Sequence, residues 1–161
     1  MDAGEVALRA SNLLLGTAVG AGINQSMFVF PRWFESPPES LAEVRARSPA
    51  KFWVPLQLSS AVALASALAL NRGDPGRRKL LTVALGFYVA TWAVTAAYFA
   101  PEIIRLSKAD GTLPPSEIAK RGKRWSNLSW GRQLTMVAAW LAAGAALGRR
   151  RRTFSLRRSG W

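Results

Sequence analysis

The chain of 161 residues is half hydrophobic yet carries a formal charge of +13, from 22 lysines and arginines against nine acids. Cysteine and histidine are both absent. That excludes disulfides, thiolate nucleophiles, iron–sulfur clusters, Ser-His triads, histidine-ligated haem and the usual zinc sites, so no metal and no cofactor is expected and any chemistry falls to carboxylate, tyrosine, amide or arginine.

Charged and apolar residues are segregated along the chain. Long stretches almost free of charge alternate with short stretches crowded with Lys and Arg, the layout of a multi-span membrane protein. Nucleic acid is excluded as a partner on the same ground, because the basic residues flank apolar runs and form no patch with interleaved aromatics.

The opening MDAGEVALRA places Asp2 and Glu5 ahead of Arg9 and lacks a cationic region before a short apolar core, so it is expected to start the mature protein without a cleaved signal. The first span is predicted from Ala10 to Phe30. In it Asn12, Gly16, Gly20 and Asn24 form an i, i+4 ridge with a GxxxG that lets another helix approach closely. The loop that follows contains SPPE at Ser36 to Glu39, which reads as a capping box with Pro at the first helical positions. The second span is predicted from Phe52 to Leu70, and a basic turn, Asn71 to Lys79, leads to the third, Leu80 to Ala100. Alanine-rich faces on the second and fourth spans suggest packing against another protein.

The second outer loop resembles the first: each has a Pro at the span's end, a PP pair, an amphipathic basic segment and a Trp at re-entry. Short amphipathic helices are predicted in both. The likeness reads either as a duplicated two-span hairpin or as two loops meeting similar interfacial demands. The fourth span, Leu128 to Gly148, is long enough only if Arg132 is counted. Gln133 to Gly148 alone spans roughly 24 Å, short of a hydrocarbon core of about 30 Å. Residues 1–148 are thus predicted to form one all-α, four-helix transmembrane bundle, and residues 149–161 a basic cytoplasmic tail, either a plain stop-transfer flank or a binder of anionic lipid.

With both termini on one side, that side holds eleven Lys and Arg against ten on the other, where longer loops and six acids dilute them. The denser side is predicted to be cytoplasmic, in the inner membrane of a bacterium. Trp33, Trp53, Trp125 and Trp130 fall near the outer boundary, where aromatic belts form.

Polar residues in lipid face protein or water, so their faces mark the bundle interior. Tyr88, Thr91, Thr95, Tyr98 and Glu102 share an arc of roughly 80°, as do Trp125, Ser129, Arg132, Met136 and Trp140. Asn24, Gln25, Gln57, Thr95, Tyr98, Glu102, Ser129 and Arg132 are predicted to form one polar layer near the outer surface, with Glu102 the nearest counter-charge for Arg132. The layer reads either as a hydrogen-bonded latch that fixes helix register or as a site for the oxygen atoms of an anionic or quinone-like guest.

The run RWSNLSWGRQL is similar to a signature of a family of small four-span membrane proteins, mostly bacterial, that includes the fungal anthrone oxygenases. Trp125, Leu128 and Arg132 match its spacing, and Ser129 stands where that signature has His or Asn. Phe30 and Pro31, FWVPL at Phe52 to Leu56 and Pro101 extend the likeness over most of the chain. The resemblance implies the same fold. It also implies cofactor-independent oxidation begun by a base, a part that Glu102 or Tyr98 would have to play. The reading favoured by the residues themselves is non-enzymatic: an accessory subunit of a larger membrane complex, or a binder of a lipid or quinone-like ligand. The alternative is a membrane oxygenase resembling the anthrone oxygenases and acting on a hydrophobic aromatic. Expected partners are the lipid bilayer, other membrane subunits and a quinone or lipid.

Overall fold

Backbone amides that leave water for lipid must be satisfied within their own segment, and an apolar chain meets that demand by becoming helical. The computed structural model describes residues 2–46, 49–109 and 111–149, and among them helix is the only regular structure. The predicted tail beyond Arg149 lies outside the described residues. Five α-helices follow in order: α1 (Ala3–Trp33), α2 (Ala42–Ala46), α3 (Ala50–Leu70), α4 (Pro75–Ser107) and α5 (Pro115–Gly148). Three of them, α1, α3 and α4, are long and apolar enough to cross a membrane. That marks a membrane protein.

The helix starts follow from local chemistry. Asp2 accepts from the Glu5 amide at 2.9 Å, and Asp74 accepts from the Gly76 and Arg77 amides, both at 3.0 Å. Each carboxylate thus satisfies amides that the first turn leaves without partners. The bond from the Arg77 amide, aided by the Gly76 amide and the nearby Arg77 charge, holds the Asp74 carboxyl below its ordinary value against the opposing effect of partial burial. Both α4 and α5 open on proline, whose missing N–H costs nothing there.

The helices outrun the predicted spans. The 33 residues of α4 and the 34 of α5 extend about 50 Å each, roughly 20 Å more than a hydrocarbon core. The separate helix predicted for the second outer loop is therefore the start of α5. Only the first loop has its own helix, α2, entered through a 3-10 turn at Glu39–Leu41. That turn has no side-chain cap, so the predicted capping box does not form.

Around the bundle the order is α3, α1, α5, α4, with α3 and α4 packed against each other least. Leu8, Leu15, Leu64, Leu81, Ala84 and Met136 form the inner core, into which α5 presses Ala139, Ala143 and Ala146. The alanine face of the last helix is thus buried inside its own bundle, and the partner expected for it is α1 and α4. Gly16 brings α1 against Trp140, and Gly22 lies against the Gln133 amide. Asn12 on the same ridge reaches the Trp140 carbonyl at 3.4 Å, whereas Gly20 has open space around it and Asn24 is exposed. Only the lower half of the predicted ridge is a packing surface.

A second core lies towards the opposite end, built from Phe30, Trp33, Leu41, Phe99, Leu106 and Trp125. Trp125 donates from its indole nitrogen to the Phe99 carbonyl at 3.0 Å and meets Phe30 edge-on at 4.7 Å. Trp33 and Trp125, predicted as interfacial anchors, are only 6% and 3% exposed. Trp130, at 42%, keeps the exposure an anchor needs.

Two helices change gauge at the same level. α1 widens to a π-helix at Gln25–Val29 and α4 at Thr95–Phe99. Each widening stops one residue short of a proline. Pro31 and Pro101 lack an N–H and press on the carbonyl four residues back, and the wider turn relieves that clash. The Phe30 and Ala100 amides close the two segments by bonding back to Gln25 and Thr95.

The other end is tied by Arg77, 4% exposed. Its guanidinium donates to the Arg149 carbonyl at 2.6 and 3.1 Å, to Glu5 at 3.3 Å and to the Asn71 side-chain oxygen at 3.3 Å. Asn71 in turn donates to the Gly4 carbonyl at 3.2 Å. One arginine so joins α1, α4, the turn after α3 and the end of α5.

Candidate functional site

Between the two cores lies a cavity of about 360 Å³. Its walls come from all four long helices and from the loop around α2. Phe30, Trp33, Trp53, Trp92, Phe99 and Trp125 give it an aromatic lining, which Met136 and Ala18 share. Gln25, Gln57, Thr91, Thr95 and Gln133 add polar atoms, and Arg132 is the only charged residue lining it among the described residues.

Most of the polar atoms are already engaged. Gln25 accepts from the Trp53 indole at 3.1 Å, bracing α1 to α3. Tyr88 donates towards the backbone and side-chain oxygens of Gln57, at 2.6 and 3.0 Å, bracing α4 to α3. The Thr91 and Thr135 hydroxyls meet at 2.8 Å between α4 and α5, and the Thr95 hydroxyl donates to the Thr91 carbonyl at 2.7 Å. Each is a neutral contact that also stiffens the wall.

The Gln133 side-chain amide makes no hydrogen bond among the described residues, and Arg132 makes none with its guanidinium. Its guanidinium carbon sits 4.8 Å from the centre of the Phe99 ring, its Nε is buried without a hydrogen-bond partner, and no ion pair reaches it among the described residues. A ring face attracts a cation but satisfies none of its N–H groups. The counter-charge expected for it is elsewhere: Glu102 is held by Arg121, with Nε and Nη2 donating to the two carboxylate oxygens at 2.9 and 2.8 Å. The hydrogen-bonded latch predicted at Arg132 is absent, and that role belongs to Arg77 at the other end.

Of the predicted polar layer, Gln25, Gln57, Thr95 and Arg132 line the cavity together. Asn24 is exposed. Tyr98 packs on the outer core beside Phe99 and is not part of the lining. Ser129 is fully buried and donates to the Trp125 carbonyl of its own helix at 3.0 Å. The π segment of α4 accounts for one of these differences. The extra residue in its wide turn advances the register, so that Phe99 takes the inward position that an unbroken α-helix would give Tyr98. Asn24 precedes the wide turn of α1 and faces out because the buried face there runs through Leu15, Ala18 and Gly22. Sequence reasoning missed Phe99, the Trp53 partner of Gln25, and Arg121. The available signal was Pro31 and Pro101, each of which disturbs the turn before it.

No family model matches the chain, and neither a curated protein nor a solved structure does.

Proposed function

We propose that this protein is a non-enzymatic binder of a hydrophobic amphiphile, holding an oxygen atom of its guest against Arg132. One observation carries the reading: a guanidinium with an unpartnered, buried Nε lines an aromatic cavity that holds no other charged residue among those described. Removing a charge from water without compensation costs several kcal/mol. A site shaped so gains most when a guest supplies the missing acceptor. The cavity's size and its apolar walls with few polar groups are those of a small-molecule site.

The surroundings proposed for it are the inner membrane of a bacterium, crossed four times, with both termini cytoplasmic. Support comes from the exposed Arg72, Arg78 and Lys79 around the α3–α4 turn. It comes also from α5 packing along α1 and α4 over the membrane-length core, which requires the last helix to share their depth.

The oxygenase chemistry implied by the resemblance to anthrone oxygenases needs a base in reach of the guest. Glu102 is neutralised by Arg121 and Tyr98 is outside the lining, so binding without turnover is the reading retained. The test uses the tryptophans that line the cavity. Purified protein in mild detergent is titrated with a decyl-substituted benzoquinone and with a brominated fatty acid, both quenchers of indole fluorescence. Saturable quenching by at least one is expected, lost in Arg132→Leu. Linear quenching by both, unchanged in the variant, would overturn the proposal.

A further inference from the structure

A cavity of about 360 Å³ is at the lower end of small-molecule sites. A long, extended chain anchored in it by its head needs a way out, and most routes are shut. α1 packs along both α3 and α5, and α5 along α4. Phe30, Trp33 and Trp125 close the outer end, and the Tyr88–Gln57 bond ties α3 to α4 below. Above that tie α3 and α4 part. Val54 on one side, with Trp92 and Ile104 on the other, both line the cavity and are 45%, 36% and 51% exposed. In a bilayer these residues face acyl chains, so the gap connects the cavity with lipid.

The charge of the head follows from what the walls lack. No carboxylate lines the cavity among the described residues, because Glu102 is taken by Arg121. A desolvated guanidinium is compensated far better by an anion than by a neutral carbonyl. We infer that the guest is a single-chain amphiphile with an oxyanion head, seated with its head at Arg132 and its chain passing between Val54 and Ile104 into the bilayer. This rests on the binding function proposed above and adds the head's charge and the chain's route.

Radiolabelled palmitate, hexadecanol and hexanoate separate these claims, measured on purified protein in non-ionic detergent. Palmitate is expected to bind at least tenfold more tightly than hexadecanol. Val54→Trp and Ile104→Trp each add bulk at the gap, and each is expected to weaken palmitate at least tenfold while leaving hexanoate unchanged. Failure of wild type to bind any of the three overturns the binding function itself, and binding of hexadecanol without either acid overturns the charged head alone. Equal affinity for hexadecanol overturns the charged head, and palmitate binding unaffected by both variants overturns the route. Because a variant that also loses hexanoate has lost its site, a palmitate analogue with a diazirine at its chain end is photolysed in wild type. Adducts within residues 50–58 or 92–104 are expected, and adducts confined to α1 or α5 would overturn the route.

Discussion

Arg121 grips Glu102 through both carboxylate oxygens, Nε to Oε1 at 2.9 Å and Nη2 to Oε2 at 2.8 Å, joining the end of α4 to the start of α5 above the cavity. The pair is lopsided: Glu102 is nearly buried, while the Arg121 side chain is 34% exposed. Arg121→Gln is therefore expected to cost more stability than Glu102→Gln, about 2 kcal/mol against about 1 kcal/mol, because it leaves a carboxylate buried and unpaired. Denaturant titration of both variants checks the order. Glu102→Gln should also leave ligand affinity within about twofold, since Glu102 does not touch the cavity.

Arg77 has more partners and almost no exposure. Arg77→Met is expected to cost roughly 3 kcal/mol, since it strands the Arg149 carbonyl and the Asn71 side-chain oxygen and leaves Glu5 only the exposed Arg9. Arg77→Lys should recover only part, because an ammonium cannot match a fork whose donors reach three groups at once. Equal stability of the lysine variant and wild type in urea unfolding would contradict the assignment.

Asp74 gives a pH signature. Its folded pKa lies below the ordinary 3.8, so its contribution is full above that pH and is lost as pH falls through the depressed value. The stability gap between wild type and Asp74→Ala should accordingly be constant near neutrality and shrink only below about pH 3.8. A gap that closes already near pH 6 would point to another group.

Two glycines on α1 should behave oppositely. A methyl at Gly20 meets nothing within 4 Å, and Gly20→Ala is expected to gain about 0.5–1 kcal/mol of helix stability. A methyl at Gly22 collides with the end of the Gln133 side chain, which must turn into the cavity it lines, so Gly22→Ala should lose about 1 kcal/mol. Thermal unfolding of the two variants in one detergent tests the contrast.

Because the chain has no cysteine, single thiols report sidedness cleanly. Gly73→Cys in the α3–α4 turn should label only after permeabilisation, and Ser116→Cys at the start of α5 should label in intact cells with an impermeant reagent. The reverse pattern would invert the topology.

Membrane character and the inward position of Arg132 were legible because both are matters of composition: apolar runs of spanning length, and a charge at the edge of one. Faces were legible wherever 3.6 residues per turn held, as at Tyr88, Thr91 and Met136. They failed beyond Thr95, where the wide turn before Pro101 exchanges Tyr98 for Phe99, and on α1, where the ridge of Gly20 and Asn24 faces out while Gln25 lines the cavity. Arg77 could not be read at all, since a basic turn beside a span is expected to be solvated, and burial depends on Glu5 and Arg149 arriving from the two ends of the chain. Trp33 and Trp125 misled for a related reason: a tryptophan at the membrane boundary has the same sequence position whether it points to lipid or into a second core.

Arg77 fixes one end of the bundle while α3 and α4 stand apart at the other, yet the ties along the walls leave little of either helix free to swing. From Gln57, held by Tyr88, to the start of α3 at Ala50 is a rise of about 10 Å. Within that stretch Trp53 is braced to Gln25. The width of the gap beside Val54 is therefore governed by the rotamers of the side chains that line it, and less by the tilt of the helices that carry them.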